Sequence, residues 1–260
     1  MLLKRFVFLA TLALASAAPR RRVSSSCSAA PQPVPPPALP LNGGERELAA
    51  PPTGTKLRHV VLGHGYQNYT CTKTDGSDTL TSTATGALAV LYDVWPFFPA
   101  QGASSLSLND VWGLATEAAH DISVPLNIDA SITLGRIAGS LPAVVKSSPW
   151  IAPADISLPG ANAPLKFKGV HYFDVNGVPT FDVGGDFFRA KKLDDLNAPA
   201  TAATSKDGSK AVKWLLLGDA GGSTGIQYVY RVNTVGGAGH ACTSEGDDSS
   251  EYATFYYMYG

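Results

Sequence analysis

The chain of 260 residues balances 20 Lys+Arg against 21 Asp+Glu, for a formal charge of −1. That balance gives no electrostatic footprint for nucleic acid or an anionic membrane surface. With 26 glycines and only 2 methionines, the composition fits a rigid, turn-rich extracellular body better than a helical bundle.

The N-terminus "MLLKRFVFLATLALASAAP" has a basic start at Lys4 and Arg5, an apolar run from Phe6 to Leu14, and small residues at 15–18. This is the plan of a secretory signal peptide, predicted over residues 1–18. The apolar run is too short to span a membrane, so the protein is expected to be secreted. Arg20, Arg21 and Arg22 follow, as a processing site or a basic patch. Without residues 1–22 the chain carries 15 Lys+Arg against 21 Asp+Glu, a formal charge of −6. Residues 19–52 form a proline-rich leader or propeptide. Eight of the thirty residues 23–52 are proline, which predicts extended or irregular chain. Leu39, Leu41 and Leu48 could lay part of it along the folded body.

Residues 53–260 read as one β-rich domain. "KLRHVVLGHGYQNYTCT" is a strand placing Gln67 and Tyr69 on one face and Tyr66, Asn68 and Thr70 on the other. "TGALAVLYDVWPFF" is a strand stopped by Pro96. "SLNDVWGLATEAAHDI" is the best helix candidate, capped by Ser107 or Asn109. "LKFKGVHYFDVNGVPTFDVGG" is a hairpin about Asn176–Gly177, a pair suited to a type I′ turn. "DDLNAPATAATSKDGSK" reads as a surface loop. "AVKWLLLGDAGGSTGIQYVYRVNTVGG" gives two strands about a glycine-rich turn, and "EYATFYYMYG" an aromatic final strand. The expected fold is mainly β, an antiparallel sandwich or barrel with one short helix and a disulfide staple. The three cysteines, Cys27, Cys71 and Cys242, allow three pairings on paper. In an oxidising compartment Cys71–Cys242 is the natural one, with Cys27 left over in the leader.

The end of "GHGYQNYTC", the run "KWLLLGDA", "GIQYVYRVNTVGG" followed by a cysteine, and the terminal "EYATFYYMYG" resemble a secreted family of filamentous fungi and bacteria. It is the domain-of-unknown-function family number 3455, and the resemblance covers roughly residues 55–260 with the motifs in order. It implies a compact extracellular β-domain without assigned chemistry. Some members carry the label malate dehydrogenase. Here "GHGYQN" lacks the third glycine of a dinucleotide fingerprint and continues as strand rather than helix, so no dinucleotide and no other cofactor is expected.

Candidate chemistry is thin. "GGSTG" places Ser223 in a Gly-x-Ser-x-Gly pattern, but the segment after it is strand-like and the order of acid and histidine is wrong for a hydrolase. Asp182 and Asp186 could be paired acids of a glycosidase. The five histidines show no zinc spacing, and no metal is expected; His64 and His240 could approach if Cys71 and Cys242 are bridged. Trp95, Phe97 and Phe98, beside prolines, suit stacking on sugars or anchoring a protein, and His64 belongs with them as a binding candidate. Asn68-Tyr69-Thr70 is an N-glycosylation sequon, whose use would require Asn68 to be exposed. The reading is a secreted, non-catalytic protein that binds a surface polysaccharide or a partner or host protein; the alternative is a secreted hydrolase of glycans or esters.

Overall fold

The computed structural model describes residues 33–74, 76, 78–128, 154–174 and 176–260. The signal peptide, Arg20–Arg22 and Cys27 lie outside these residues. Eight strands follow in chain order: β1 (Leu57–Lys73), β2 (Leu80–Asp93), β3 (Lys166–Phe173), β4 (Pro179–Val183), β5 (Asp186–Leu196), β6 (Trp214–Asp219), β7 (Tyr228–Gly236) and β8 (Gly246–Tyr259). Each pairs antiparallel with the next, and β8 returns to pair with β1. Of sandwich and barrel, the two forms the strand pattern allows, the fold is a closed barrel. Closure gives every strand two partners and removes the open edges of a sheet.

Alternation sorts the side chains. Val61 of β1, Leu91 of β2, Phe181 of β4, Phe188 of β5, Val229 of β7 and Tyr256 of β8 share one apolar cluster inside the barrel. The opposite faces of β1, β2, β7 and β8 are also buried, because helix α1 (Leu108–His120), the turn Trp95–Phe97 and part of the leader cover them. Burial on both faces explains why "ALAVLY" and "YATFYYMY" do not alternate between apolar and exposed polar residues. Helix α1 starts at Ser107, whose hydroxyl accepts the Asp110 amide as an N-cap should. No helix among the described residues is long and apolar enough to cross a membrane.

Three details differ from the sequence reading. The Asn176–Gly177 hairpin forms, but only Gly177 has positive φ; the Gly177 amide donates to the Asp174 carbonyl and the Asp174 carboxylate takes the amides of Asn176 and Val178. The two-residue turn with both φ values positive is instead Gly184–Gly185, between the paired residues Val183 and Asp186. Asp194–Leu196, expected in a loop, complete β5.

One end of the barrel is tied by charge. Arg58 donates from Nε and Nη2 to the Asp186 carboxylate at 2.7 and 2.9 Å, and His59 Nε2 lies 2.8 Å from the same group. The Arg58 hydrogen bonds hold the Asp186 carboxyl below its usual range. Gly225 packs against it at φ +81°, where a Cβ would meet Asp186 Oδ1 at 2.0 Å, so only glycine fits.

The leader segment 34–52 lies on the same compact unit as the barrel. It has no regular structure, as its prolines dictate, but Leu39 and Leu48 pack on the outer core while Leu41 is 77% exposed. The Tyr230 hydroxyl donates to the Ala49 carbonyl at 2.9 Å, and Gln101 donates to the Pro35 carbonyl at 2.7 Å.

Candidate functional site

The barrel interior is not filled along its whole length. Away from the Arg58–Asp186 end it opens into a cavity of about 240 Å³. Phe173, Pro179, Phe181, Val212, Leu215 and Leu217 form its apolar walls. Gln67, Tyr69, His171, Arg231 and Tyr256 bring polar atoms to it, and Lys192 stands at the exposed rim.

Each polar group has a definite state. His171 is buried, its ring stacked on Phe181 at 4.0 Å and 11°. Its Nδ1–H donates to the Thr180 carbonyl at 2.9 Å, and burial pushes its pKa down to about 3, so the ring is neutral. Burial pushes the hydroxyls of Tyr69 and Tyr256 up; they too are neutral. Gln67 donates to the Gly86 carbonyl at 2.6 Å and accepts from Arg231 Nη1 at 3.3 Å. Arg231 Nε and Nη2 both donate to the Lys213 carbonyl, at 3.1 and 2.9 Å. Lys192 is engaged by Asp195 at 2.7 Å. Arg231 is therefore a buried charge facing neutral groups, on the wall of an apolar cavity.

The glycines of "GHG" serve this packing rather than a phosphate. A Cβ on Gly63 would meet the Tyr256 ring at 2.6 Å, and one on Gly65 would fall 1.9 Å from the Leu88 carbonyl oxygen. The connection from β7 to β8 is tied to Tyr69 of the cavity wall and to Cys71 beyond it. The Tyr69 hydroxyl donates to the Gly237 carbonyl at 2.6 Å, and Cys71 bonds to Cys242, stapling this connection to β1. The disulfide is the pairing expected from sequence.

The other candidate residues lie elsewhere. Phe97 and Phe98 are buried in the outer core, where Phe98 meets Phe255 and Tyr257 edge-on at 6.4 and 6.1 Å. Their rings are thus spent on packing, with only 3% and 2% of each residue exposed. Trp95 is half-buried, its indole N–H held by Gln101 at 2.9 Å. His64 is fully buried on the outer face of β1, with Nε2 3.1 Å from Glu251 Oε1; Lys206 reaches the same carboxylate at 2.9 Å. His240 takes Asp248 instead, so the two histidines do not pair. Asn68 is fully buried and accepts from Ser249 at 2.8 Å; a glycan on it would need this packing opened.

The three hydrolase candidates are not assembled. Asp182 is exposed on the outer face, between two residues that point inward. Asp186 is committed to Arg58 and His59. The Ser223 hydroxyl donates to Asp219 at 2.5 Å and accepts the Arg189 amide at 2.9 Å, which makes it a turn-forming group. Among the described residues no cluster of three or more metal-binding side chains occurs.

Sequence reasoning missed Arg231. The signal was a lone arginine in "YVYRV", on the face of Val229, in a segment otherwise apolar or aromatic on both sides.

Neither a curated protein nor a solved structure matches the chain. The family model described as "Protein of unknown function (DUF3455)" matches residues 51–260, and with the motif order noted above the chain belongs to the DUF3455 family.

Proposed function

We propose that this protein is exported and works as a non-catalytic binding protein that holds a small, largely apolar molecule inside its barrel. The cavity of about 240 Å³ carries this reading: it is apolar, open at one end and furnished with a few convergent polar groups, the usual make-up of a small-molecule site. The signal-like N-terminus and the Cys71–Cys242 bridge support export, since such bridges persist in oxidising compartments. The described lining contains no carboxylate, serine or cysteine, which favours holding a ligand over nucleophilic or carboxylate chemistry. Burial of Phe97 and Phe98 favours the barrel lumen over a surface aromatic platform for polysaccharide or protein.

The test is titration with 1-naphthalenemethanol, a neutral fluorophore. Saturable binding at one site per chain is expected, lost in Leu215→Trp, which fills the lumen, while circular dichroism stays unchanged. Equal binding by wild type and the filled variant would refute the lumenal site.

A further inference from the structure

Resting on the reading of the lumen as a ligand site, we propose that its ligand is an aromatic monocarboxylate, with the carboxylate on Arg231 and the ring along Phe181, Phe173 and Leu215. Arg231 lies on the inward face of β7 and is 7% exposed. Its contacts are the Lys213 carbonyl, the Gln67 amide oxygen and the Tyr256 hydroxyl, all neutral. Among the described residues no ion pair includes it. A guanidinium out of water seeks an anion, and its planar fork carries more N–H donors than these neutral groups take up. The cavity is where that anion can stand, because Arg231 is part of its wall.

The rest of the lining narrows the class. His171, stacked flat on Phe181, and Tyr256, edge-on to Phe181 at 5.1 Å, give the cavity an aromatic lining suited to contact with a ring. His171 is neutral, and the rim cation Lys192 is taken by Asp195. One unanswered positive charge fits one carboxylate rather than two. The volume, about 240 Å³, is below the roughly 300–1,000 Å³ of pockets for drug-sized molecules, so an acid of one or two rings fits where a larger polycycle or a long chain does not. Apolar walls argue against a sugar acid, whose hydroxyls would be left unpaired.

Isothermal titration with cinnamate and cinnamyl alcohol, which share a skeleton and differ in charge, tests this on the full chain. Wild type is expected to prefer cinnamate by about tenfold or more, and Arg231→Gln to erase the preference. Leu215→Glu is the second variant. Leu215 is the cross-strand partner of Arg231, so this carboxylate answers the charge from within; it should abolish cinnamate binding without removing the arginine, and it decides the matter if Arg231→Gln fails to fold. Equal affinity of wild type for acid and alcohol overturns the anion assignment and leaves the lumenal site standing. Binding of neither overturns both. Cinnamate preference surviving in a folded variant overturns the role of Arg231.

Discussion

Gln67 and Arg231 meet inside the barrel although their strands never pair: β8 separates β1 from β7, and Arg231 Nη1 reaches Gln67 Oε1 at 3.3 Å across the lumen. Gln67 is fixed from the other side by its own donation to the Gly86 carbonyl at 2.6 Å. One amide thus links three strands and sets the direction of the guanidinium. In Gln67→Leu the Gly86 carbonyl and Arg231 each lose a buried partner. The expected loss is about 1–3 kcal/mol of stability, read from the urea midpoint at unchanged m-value. A loss no larger than that of an exposed substitution, about 0.5 kcal/mol, would show that water replaces the amide.

His171 makes stability depend on pH with a definite sign. Unfolded, a histidine takes up its proton near pH 6.5; folded, burial lowers that to about 3. Between these values the unfolded chain binds more protons, so stability is full above about 6.5 and falls as pH drops toward 3. The contribution has a slope of at most about 1.4 kcal/mol per pH unit. His171→Gln, which can keep a donor for the Thr180 carbonyl, should flatten the acid limb relative to wild type. Urea midpoints across this range check it, and parallel acid limbs in the two proteins would show that His171 is protonated in place.

The Cys71–Cys242 bridge joins residues 171 apart in sequence, so the chain-entropy model assigns it roughly 5 kcal/mol. Replacing both cysteines by alanine should lower the thermal midpoint while leaving the far-ultraviolet spectrum of the barrel. A loss under about 1 kcal/mol would mean that the unfolded chain already holds β1 and β8 close together.

The strands were legible where one face differs from the other. Gln67 and Tyr69 sort to one side of β1 by alternation, and both line the cavity. Ser107 marks the helix start because its capping chemistry is local. What local pattern cannot encode is which face of a doubly buried strand turns inward: in β7 both Tyr230 and Val229 are fully buried, one in the outer core and one in the lumen. Arg231 could be assigned to the lumen only once β6 and β8 stood on either side of it. Charge masked the end of β5, where "DDL" reads as loop because its acids pair with Lys192, Lys213 and Arg46 rather than with neighbours that a hydrophobic pattern reveals. Phe98 looked available beside two prolines because its partners, Phe255 and Tyr257, lie more than a hundred residues away.

The leader segment gives a test by contrast. Leu48 packs on the outer core beside Trp214 and Val232, whereas Leu41, in the same proline-rich stretch, is 77% exposed. If residues 34–52 contribute to the fold, Leu48→Ser should cost about 1–2 kcal/mol, part of the value of a fully buried leucine because this one is half-buried. Leu41→Ser should stay within about 0.5 kcal/mol. Trimming the chain to residue 50 removes Leu39, Leu48 and the Ala49 carbonyl that holds the Tyr230 hydroxyl. It uncovers the apolar surface of Trp214 and Val232 and should lower the urea midpoint by more than Leu48→Ser alone. Equal midpoints for the trimmed and full chains would show that the segment only rests on the barrel, as a removable propeptide does; a lower midpoint makes it part of the folded domain.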